Sequence, residues 1–209
     1  MCCEYNMNLS LTQLKDTKSS LYFNAIEIYL DSFPPQERQE LKIVEERINS
    51  QNEMLYVLKL DDDIIGIALI WHFHQIDTFF IDYFAIKNSY QSKGYGSNFI
   101  NLLKNEFPKE STIVLEVEQP KNSEDLLKLS RIAFYQKSGF SILADFNYFM
   151  PSINNQGKCD MKLMYFSEKH NLDKEILLLL KIVDMIFKNV YNNDTDIEQI
   201  KILNKIQGI

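Results

Sequence analysis

The chain has 209 residues, of which 45% are hydrophobic and 24% charged, and its formal net charge is -7. This length and hydrophobic content are sufficient for one domain with its own core and an appendage. The acidic balance disfavours a broad nucleic-acid-binding surface and favours a cationic or neutral substrate. No stretch of about 18 apolar residues is present, so the sequence pattern predicts no membrane-spanning helix and no membrane partner.

The cysteines and the first residues indicate a location. Three cysteines, Cys2, Cys3 and Cys159, do not form an even disulfide framework. The first residues lack a basic segment followed by an apolar one, so no signal peptide is predicted. We therefore expect a protein of the reducing cytoplasm.

Apolar periodicity in the first third of the chain predicts a strand, two helices and a hairpin. Pro34 and Pro35 separate the helices, and Pro35 is expected in the first turn of the second helix. The predicted elements are a strand over Leu9–Leu14, helices over Ser19–Asp31 and Gln36–Asn49, and strands over Met54–Leu60 and Ile64–His74.

Two groups of potential metal ligands lie in this hairpin. Asp61, Asp62 and Asp63 occupy its tip, where consecutive side chains of a tight turn point in different directions, unlike the alternating ligands of a calcium loop. His72 and His74 share a face of their strand, but the sequence shows no third ligand. We predict no metal site at either place.

The remaining pattern alternates strands and helices and then changes. The predicted elements are a strand ending at Ile86, a helix near Phe99–Phe107, a strand over Ser111–Glu118, a helix from Asn122 to Lys137, strands over Phe140–Phe149 and Lys158–Phe166, and helices over Asp173–Tyr191 and Thr195–Lys205. We predict a domain of residues 1–166 and a C-terminal helical extension of residues 167–209. The apolar stripe of the extension must be buried, either on the domain or in a homodimer or partner interface.

A glycine-containing loop stands between an aromatic strand and a helix. It reads Gln91-Ser92-Lys93-Gly94-Tyr95-Gly96. Glycines let the backbone approach a ligand closely, and the backbone N–H groups at a helix start can bind a diphosphate. The loop lacks the Gly-Lys-Ser/Thr ending of a nucleoside-triphosphate loop and the third glycine of a dinucleotide fingerprint. A tight turn without a ligand is the alternative.

A second motif lies downstream and includes Phe134, Tyr135, Gly139 and Phe140. The two motifs together resemble those of the GNAT superfamily of acyl-CoA-dependent N-acetyltransferases, namely Gln/Arg-x-x-Gly-x-Gly/Ala and Phe/Leu-Tyr-x-x-x-Gly-Phe. The resemblance covers roughly Leu9 to Phe166. It implies an α/β (α+β) fold of the GNAT type, with a mixed, mostly antiparallel central sheet flanked by helices and followed here by the helical extension.

The resemblance also implies a site. Acetyl-CoA would be the acyl donor, with Tyr135 as the acid that protonates the leaving thiolate. Asp82 on the strand of the glycine loop, and Glu116 and Glu118 on the following strand, could each accept the amine proton directly or through water, and we choose Asp82 and Glu116 as the candidate bases. The implied coenzyme contacts are Phe84, Ala85 and Ile86 for the pantetheine arm, Gln91, Ser92, Lys93, Gly94, Tyr95, Gly96 and Ser97 for the diphosphate, and Tyr135 for the sulfur.

Two departures from the common pattern concern the coenzyme. Gln91 replaces the more frequent arginine, which leaves the backbone N–H groups in place. Lys128 and Arg131 occupy positions where many members have asparagine and alanine, so a cation there could contact a phosphate. The first two helices would form a wall of the acceptor site, where Phe33 and Arg38 contact either substrate or their own packing partners.

Three functions are compatible with these residues. The first is transfer of an acetyl group to a primary amine of a small molecule or a protein. The second is a catalytically silent acyl-CoA-binding or regulatory module that binds a partner through its C-terminal helices. Transfer onto aminoacyl-tRNA is disfavoured by the acidic balance unless Lys104, Lys109 and Lys128 form a basic patch. The acceptor itself is not specified by the sequence.

Overall fold

The computed structural model describes residues 8–35, 37–151, 157–206 and 208. The chain divides into two compact units. The first unit contains the residues up to Trp71 and Asp82–Glu106, and the second contains His72–Ile81 and the residues from Phe107 onward. The division therefore falls within two long strands.

The first unit is a layer of strands covered by helices. Strand β1 (Leu9–Leu14) is antiparallel to β2 (Glu53–Leu60), and β2 is antiparallel to β3 (Asp63–Phe73). The second half of β4 (Thr78–Ile86) lies beside β3. The helices are α1 (Ser20–Ser32), α2 (Leu41–Asn49) and α3 (Tyr95–Glu106).

One face of this sheet forms a core with α1 and α2. Ser19 begins α1 because its hydroxyl accepts a hydrogen bond from the Tyr22 backbone N–H at 3.2 Å, as N-cap residues do. The core residues that this face shares are Leu14, Tyr22, Ala25, Ile26, Ile28, Tyr29, Val44, Ile48, Leu55, Val57, Ile64, Ile67, Leu69, Tyr83 and Ala85.

The predicted start of the second helix is wrong. The helix begins at Leu41, and Gln36 lies outside the described residues. Arg38 donates to the carbonyls of Leu30 and Phe33 at 2.7 and 2.8 Å, which keeps this segment folded back on the end of α1. Such contacts are tertiary, and a local sequence signal does not contain them.

The second unit contains the first half of β4 and the strands that come after β4 in the chain. That half pairs in parallel with β5 (Thr112–Glu118), and β5 pairs antiparallel with β8 (Cys159–Phe166). Two short strands, β6 (Ser141–Ile142) and β7 (Tyr148–Met150), also pair antiparallel with β8. Helix α4 (Leu126–Lys137) precedes them. The predicted mixed, mostly antiparallel sheet flanked by helices is confirmed.

Three predicted element bounds in this unit are wrong. The strand expected over Phe140–Phe149 is two strands, because β6 and β7 pair with opposite ends of β8 and the turn between them places Asp145 at a φ of 51°. The helix expected from Asn122 starts at Leu126, because Asn122 and Asp125 accept local backbone hydrogen bonds instead. The strand expected to reach His74 ends at Phe73, where a 3-10 turn begins.

The last segment is helical and packs within the second unit. Helix α5 (Ile176–Met185) continues into a π-helical turn over Ile186–Val190, and α6 (Thr195–Ile206) follows. The Phe187 ring is fully buried and lies 6.0 and 6.1 Å from the rings of Tyr148 and Phe149. The apolar stripe is thus buried within this chain, whereas a domain boundary at Phe166 stays a prediction.

The C-terminal helices are also tied to the sheet by polar contacts. Asn204 exchanges two hydrogen bonds with the backbone of Asn147, at 3.0 and 3.1 Å. Lys158 lies 2.8 Å from Asp196 and 2.6 Å from Gln199. Among the described helices, none combines the length and the apolar character that crossing a bilayer requires.

Candidate active site

The loop between β4 and α3 contains two residues with positive φ angles and has open space around Gly94. Ser92 and Gly94 have φ angles of 60° and 86°, and a Cβ added to Gly94 would meet no atom within 4 Å. The bond from the Asn98 N–H to the Gly94 carbonyl, at 3.1 Å, is at the start of α3. The N–H groups of Tyr95, Gly96 and Ser97 precede it, where a helix supplies them no internal acceptor.

The Gln91 side chain holds the loop together. Its amide nitrogen donates to the Ile86 carbonyl at 2.8 Å and to Asn88 Oδ1 at 3.0 Å. Lys93 donates from Nζ to the Ser89 carbonyl at 2.8 Å and lies over the Tyr90 ring. Gln91, which stands where many family members have arginine, therefore stabilises the loop by hydrogen bonds inside it.

A cleft of about 590 Å³ lies beside this loop in the first unit. Lys93, Tyr90 and Tyr95 form one side of the cleft, and Leu60 with the hairpin-tip residues Asp61–Asp63 forms the other. Asp61 Oδ1 also accepts a hydrogen bond from the Asn8 N–H at 2.9 Å, so this aspartate fastens the first strand. Residues of the glycine loop thus form part of the wall of this cleft.

The end of β4 lies beyond the part of that strand that pairs with β5. The parallel register with β5 joins Thr78–Ile81 to Thr112–Leu115, and Phe84, Ala85 and Ile86 follow it in the chain. The Phe84 ring lies 5.1 Å from that of Phe99 in α3. This is the position that the resemblance gives to the backbone groups that bind a pantetheine arm.

Gly66 is a supporting residue that sequence reasoning missed. A Cβ at this position in β3 would lie 2.7 Å from Ile86 Cδ1, 3.1 Å from the Ala85 carbonyl oxygen and 3.2 Å from Phe99 Cδ1. Glycine therefore permits β3, the end of β4 and α3 to approach closely. A glycine inside an apolar strand was the available signal.

Asp82 lies in a buried polar cluster of the first unit. Its Oδ2 is 3.8 Å from Arg47 Nη1, and the two side chains are 8% and 13% exposed. The Arg47 guanidinium lies over the Trp71 indole, 5.0 Å from the ring centroid. Burial raises the pKa of Asp82 to about 6, although Arg47 acts in the opposite direction. A base that titrates there is ionised at neutral pH.

Glu53 is the member of this cluster that the sequence did not reveal. It is 1% exposed and lies opposite Trp71 in the β2–β3 register. Burial raises the pKa of Glu53 well above its usual range, and the nearby Asp82 adds to the rise. A glutamate just before an apolar strand resembles a solvated residue, so the pattern contained no signal for its burial.

Glu116, the other candidate base, belongs to a different set of contacts in the second unit. The Tyr148 hydroxyl of β7 and the Tyr191 hydroxyl both donate hydrogen bonds to its carboxylate. Two hydroxyl donors favour the ionised form of a carboxylate. Glu116 is thus held by β7 and by the C-terminal helical segment.

Tyr135 is buried near the end of α4. Burial raises the pKa of its hydroxyl to about 12, with Arg131 acting in the opposite direction. Its ring packs against those of Phe134 and Phe140, 4.9 and 5.7 Å away. The hydroxyl is therefore protonated at neutral pH, as a proton donor must be.

The two unusual cations of α4 face Glu118. Lys128 Nζ lies 2.7 Å and Arg131 Nη1 3.9 Å from the Glu118 carboxylate. Both cations are thus paired with Glu118, and a phosphate contact by either of them stays a prediction. In the first unit, Phe33 packs against Tyr29 and Tyr83, so packing accounts for this aromatic residue.

The two histidines of the hairpin make aromatic contacts. The His72 ring lies 3.9 Å from that of His74 and stacks on Phe79 at 4.1 Å. Burial lowers the pKa of His72. Among the described residues, no three histidine, cysteine, aspartate or glutamate side chains are grouped as metal ligands.

Known proteins resemble this chain along most of its length. Residues 22–140 match the model of the acetyltransferase (GNAT) family. The Bacillus subtilis protein "Putative acetyltransferase YjbC" is 30% identical over 141 residues, which are 65% of this chain and 71% of that protein. The matched family span includes both the glycine loop and Tyr135.

Solved structures share the fold. A "Putative acetyltransferase from GNAT family" of Bacteroides thetaiotaomicron has a TM-score of 0.75 and 25% identity, covering 87% of this chain and 98% of that one. A Bacillus subtilis acetyltransferase in complex with CoA has a TM-score of 0.51 and 21% identity, and the match covers 77% of this chain and 99% of that one.

The fold and the site motifs define an acyltransferase. This chain belongs to the acetyltransferase (GNAT) family, and it is an acetyl-CoA-dependent acetyltransferase. The family, the fold and the acyl donor predicted from the two motifs are confirmed.

Proposed function

We propose that this enzyme transfers the acetyl group of acetyl-CoA directly to a primary amine of a small molecule or a protein. The observation that carries the proposal is the open loop before α3, where Gly94 leaves room for a ligand and the first N–H groups of the helix lack helical acceptors. A diphosphate is an anion that such a helix start binds. The backbone of Phe84–Ile86 would bind the pantetheine arm.

The chemistry needs a base and an acid. The amine nitrogen attacks the thioester carbonyl carbon, the new C–N bond forms, and the C–S bond breaks. Asp82 takes the proton that the amine loses, and the Tyr135 hydroxyl protonates the leaving thiolate and recovers its proton from water. We prefer Asp82 to Glu116 as the base because its pKa of about 6 suits the task and because two tyrosine hydroxyls already donate to Glu116.

Binding of acetyl-CoA to the purified protein is the first test, measured by calorimetry. Gly94→Trp fills the open space of the loop, so we expect saturable binding in the wild type and none in this variant. Gly157→Trp is the matched control, because Gly157 has a φ of 89° and open space as well but lies outside the loop. Equal binding by Gly94→Trp and the wild type would contradict the loop assignment.

Turnover is the second test. Thiol release from acetyl-CoA is measured with a polyamine, an aminoglycoside, an amino acid and a peptide as acceptors. Release that depends on an amine supports the proposal. Saturable binding without release on any amine would favour the alternative, an acyl-CoA-binding module whose C-terminal helices contact a partner.

A further inference from the structure

The buried cluster of the first unit contains two acids and one guanidinium. Glu53 and Asp82 are both buried, and Glu53 lies opposite Trp71 in the β2–β3 register. Each of the two carboxyls acts on the pKa of the other. Arg47 lies 3.8 Å from Asp82 and stacks over the same indole. One guanidinium offsets the charge of one carboxylate, so the second acid has no cation of its own in this set.

The hydrogen bonding of these groups also indicates that one of the two acids is not compensated. Among the residues that the structure describes, both Glu53 carboxyl oxygens, Asp82 Oδ2 and the Trp71 indole nitrogen are buried without a hydrogen-bond partner. An ionised carboxylate without partners in a buried site is strongly destabilising. Two adjacent buried carboxyls avoid this cost when one of them stays protonated.

We propose that Glu53 is a positioning residue, a neutral carboxylic acid that donates its proton in a hydrogen bond to ionised Asp82, whose charge Arg47 offsets. The role of Asp82 as the base rests on the proposed function, but the protonated pair does not. Glu53 itself is buried and does not contact substrate in this scheme. It holds the Asp82 carboxylate in place and limits its basicity.

Among the described residues, two tyrosines also face the pair. Tyr29 of α1 and Tyr83 of β4 both have pKa values raised by burial and by the charge of Asp82. Their hydroxyls therefore remain neutral over the range in which carboxyls titrate. With Arg47 permanently charged, the pair is the part of this cluster that changes charge between mildly acidic and neutral pH.

The cluster contains its own spectroscopic probe. Trp71 is the single tryptophan of the chain, and it lies opposite Glu53 in the β2–β3 register and beneath the Arg47 guanidinium. Its fluorescence, followed from about pH 4.5 to 9, is expected to report the ionisation of Asp82. The step should be lost in Asp82→Asn, whereas a step due to His72, the next residue in the chain, would persist in that variant.

Two Glu53 variants test the proposal. Glu53→Gln keeps a neutral donor, so the Trp71 midpoint should stay where it is in the wild type. Glu53→Ala removes the donor, so the midpoint should rise by about one pH unit. Glu45→Gln is the matched control, because Glu45 is a carboxyl on the same helix as Arg47 that contacts Tyr22 and should leave the midpoint unchanged.

Several results would overturn the pair. A midpoint about one pH unit lower in Glu53→Gln would show that Glu53 is ionised in the wild type. An unchanged midpoint in a folded Glu53→Ala variant would show that Glu53 does not act on Asp82. If Glu53→Ala does not fold, the Trp71 midpoint of Glu53→Gln still decides whether Glu53 is neutral in the wild type. A wild-type step that survives in Asp82→Asn would likewise contradict the assignment.

The same variants have a kinetic readout that separates the two proposals. The acidic limb of kcat/KM should follow the Trp71 midpoint, unchanged in Glu53→Gln and raised in Glu53→Ala. The fluorescence midpoints could change as expected while the acidic limb of kcat/KM does not shift with them. This result would support the carboxyl pair and reject Asp82 as the base. Loss of the fluorescence pattern in an active enzyme would reject the pair alone.

Discussion

The Tyr191 hydroxyl donates a hydrogen bond to Glu116 Oε2 at 2.5 Å, across 75 positions of sequence. Glu116 lies in β5, and Tyr191 follows the π-helical turn of the C-terminal segment. One of the two candidate bases is therefore held by a residue outside residues 22–140, which match the family model. This contact provides a way to decide between the two bases.

Tyr191→Phe should lower the free energy of unfolding by roughly 1–3 kcal/mol, because a hydrogen bond to a charged group is lost. The acidic limb of the pH profile of kcat/KM should stay near pH 6, because the proposed base is Asp82, with a pKa of about 6. Asp82 must lose its proton to act, so activity rises as pH increases through this value. Urea unfolding and a pH profile of kcat/KM measure both effects.

The opposite outcome identifies the other base. Loss of a donor to a carboxylate favours its protonated form, so an acidic limb that moves to higher pH in Tyr191→Phe would assign the base to Glu116. Tyr165→Phe serves as the control, because the Tyr165 hydroxyl is near Asp173 at 3.2 Å and not near Glu116.

Tyr135→Phe should lower kcat by about 10²–10⁴-fold, the range for loss of a general acid. Acetyl-CoA binding should change little, because the ring and its packing on Phe134 and Phe140 are retained. The pKa of about 12 predicts no alkaline limb from Tyr135 below about pH 10 in the wild type. A variant with an unchanged kcat in a chemistry-limited assay would exclude Tyr135 as the acid.

Gly66→Ala should destabilise the protein by about 1–3 kcal/mol and weaken acetyl-CoA binding, since overpacking displaces neighbours. The new methyl group would lie 2.7 Å from Ile86 Cδ1. Ile86→Val removes that carbon atom, so the double variant should recover part of the stability. Unfolding and calorimetric titrations of all four proteins measure the effect, and additive losses would contradict the proposed clash.

Phe187→Ala should cost about 3–5 kcal/mol, because it leaves a cavity among the aromatic rings of the second unit. Leu177→Ala is the control from the same segment, since Leu177 is 79% exposed and its loss should change stability by no more than about 0.5 kcal/mol. Similar stabilities for both variants would indicate that the segment is not part of the folded core. Denaturant unfolding, followed by circular dichroism, distinguishes these results.

The local sequence was a good guide wherever the evidence is local. The alternation of apolar residues predicted β1 and the hairpin of β2 and β3, and Gly94, Gly96 and Tyr135 pointed to the family. These signals arise from the pleat of a strand and from the backbone freedom of glycine, which neighbouring residues determine.

Tertiary contacts decided the remainder. Arg38 reaches back to α1 and delays the start of α2, and Gly66 is required by atoms that are distant in sequence. The two carboxylates that the sequence proposed as equivalent bases differ because Asp82 is buried beside Arg47 and Glu53, whereas Glu116 accepts from Tyr148 and Tyr191. Burial and the identity of such partners depend on residues brought together only by folding, so composition and spacing do not encode them locally.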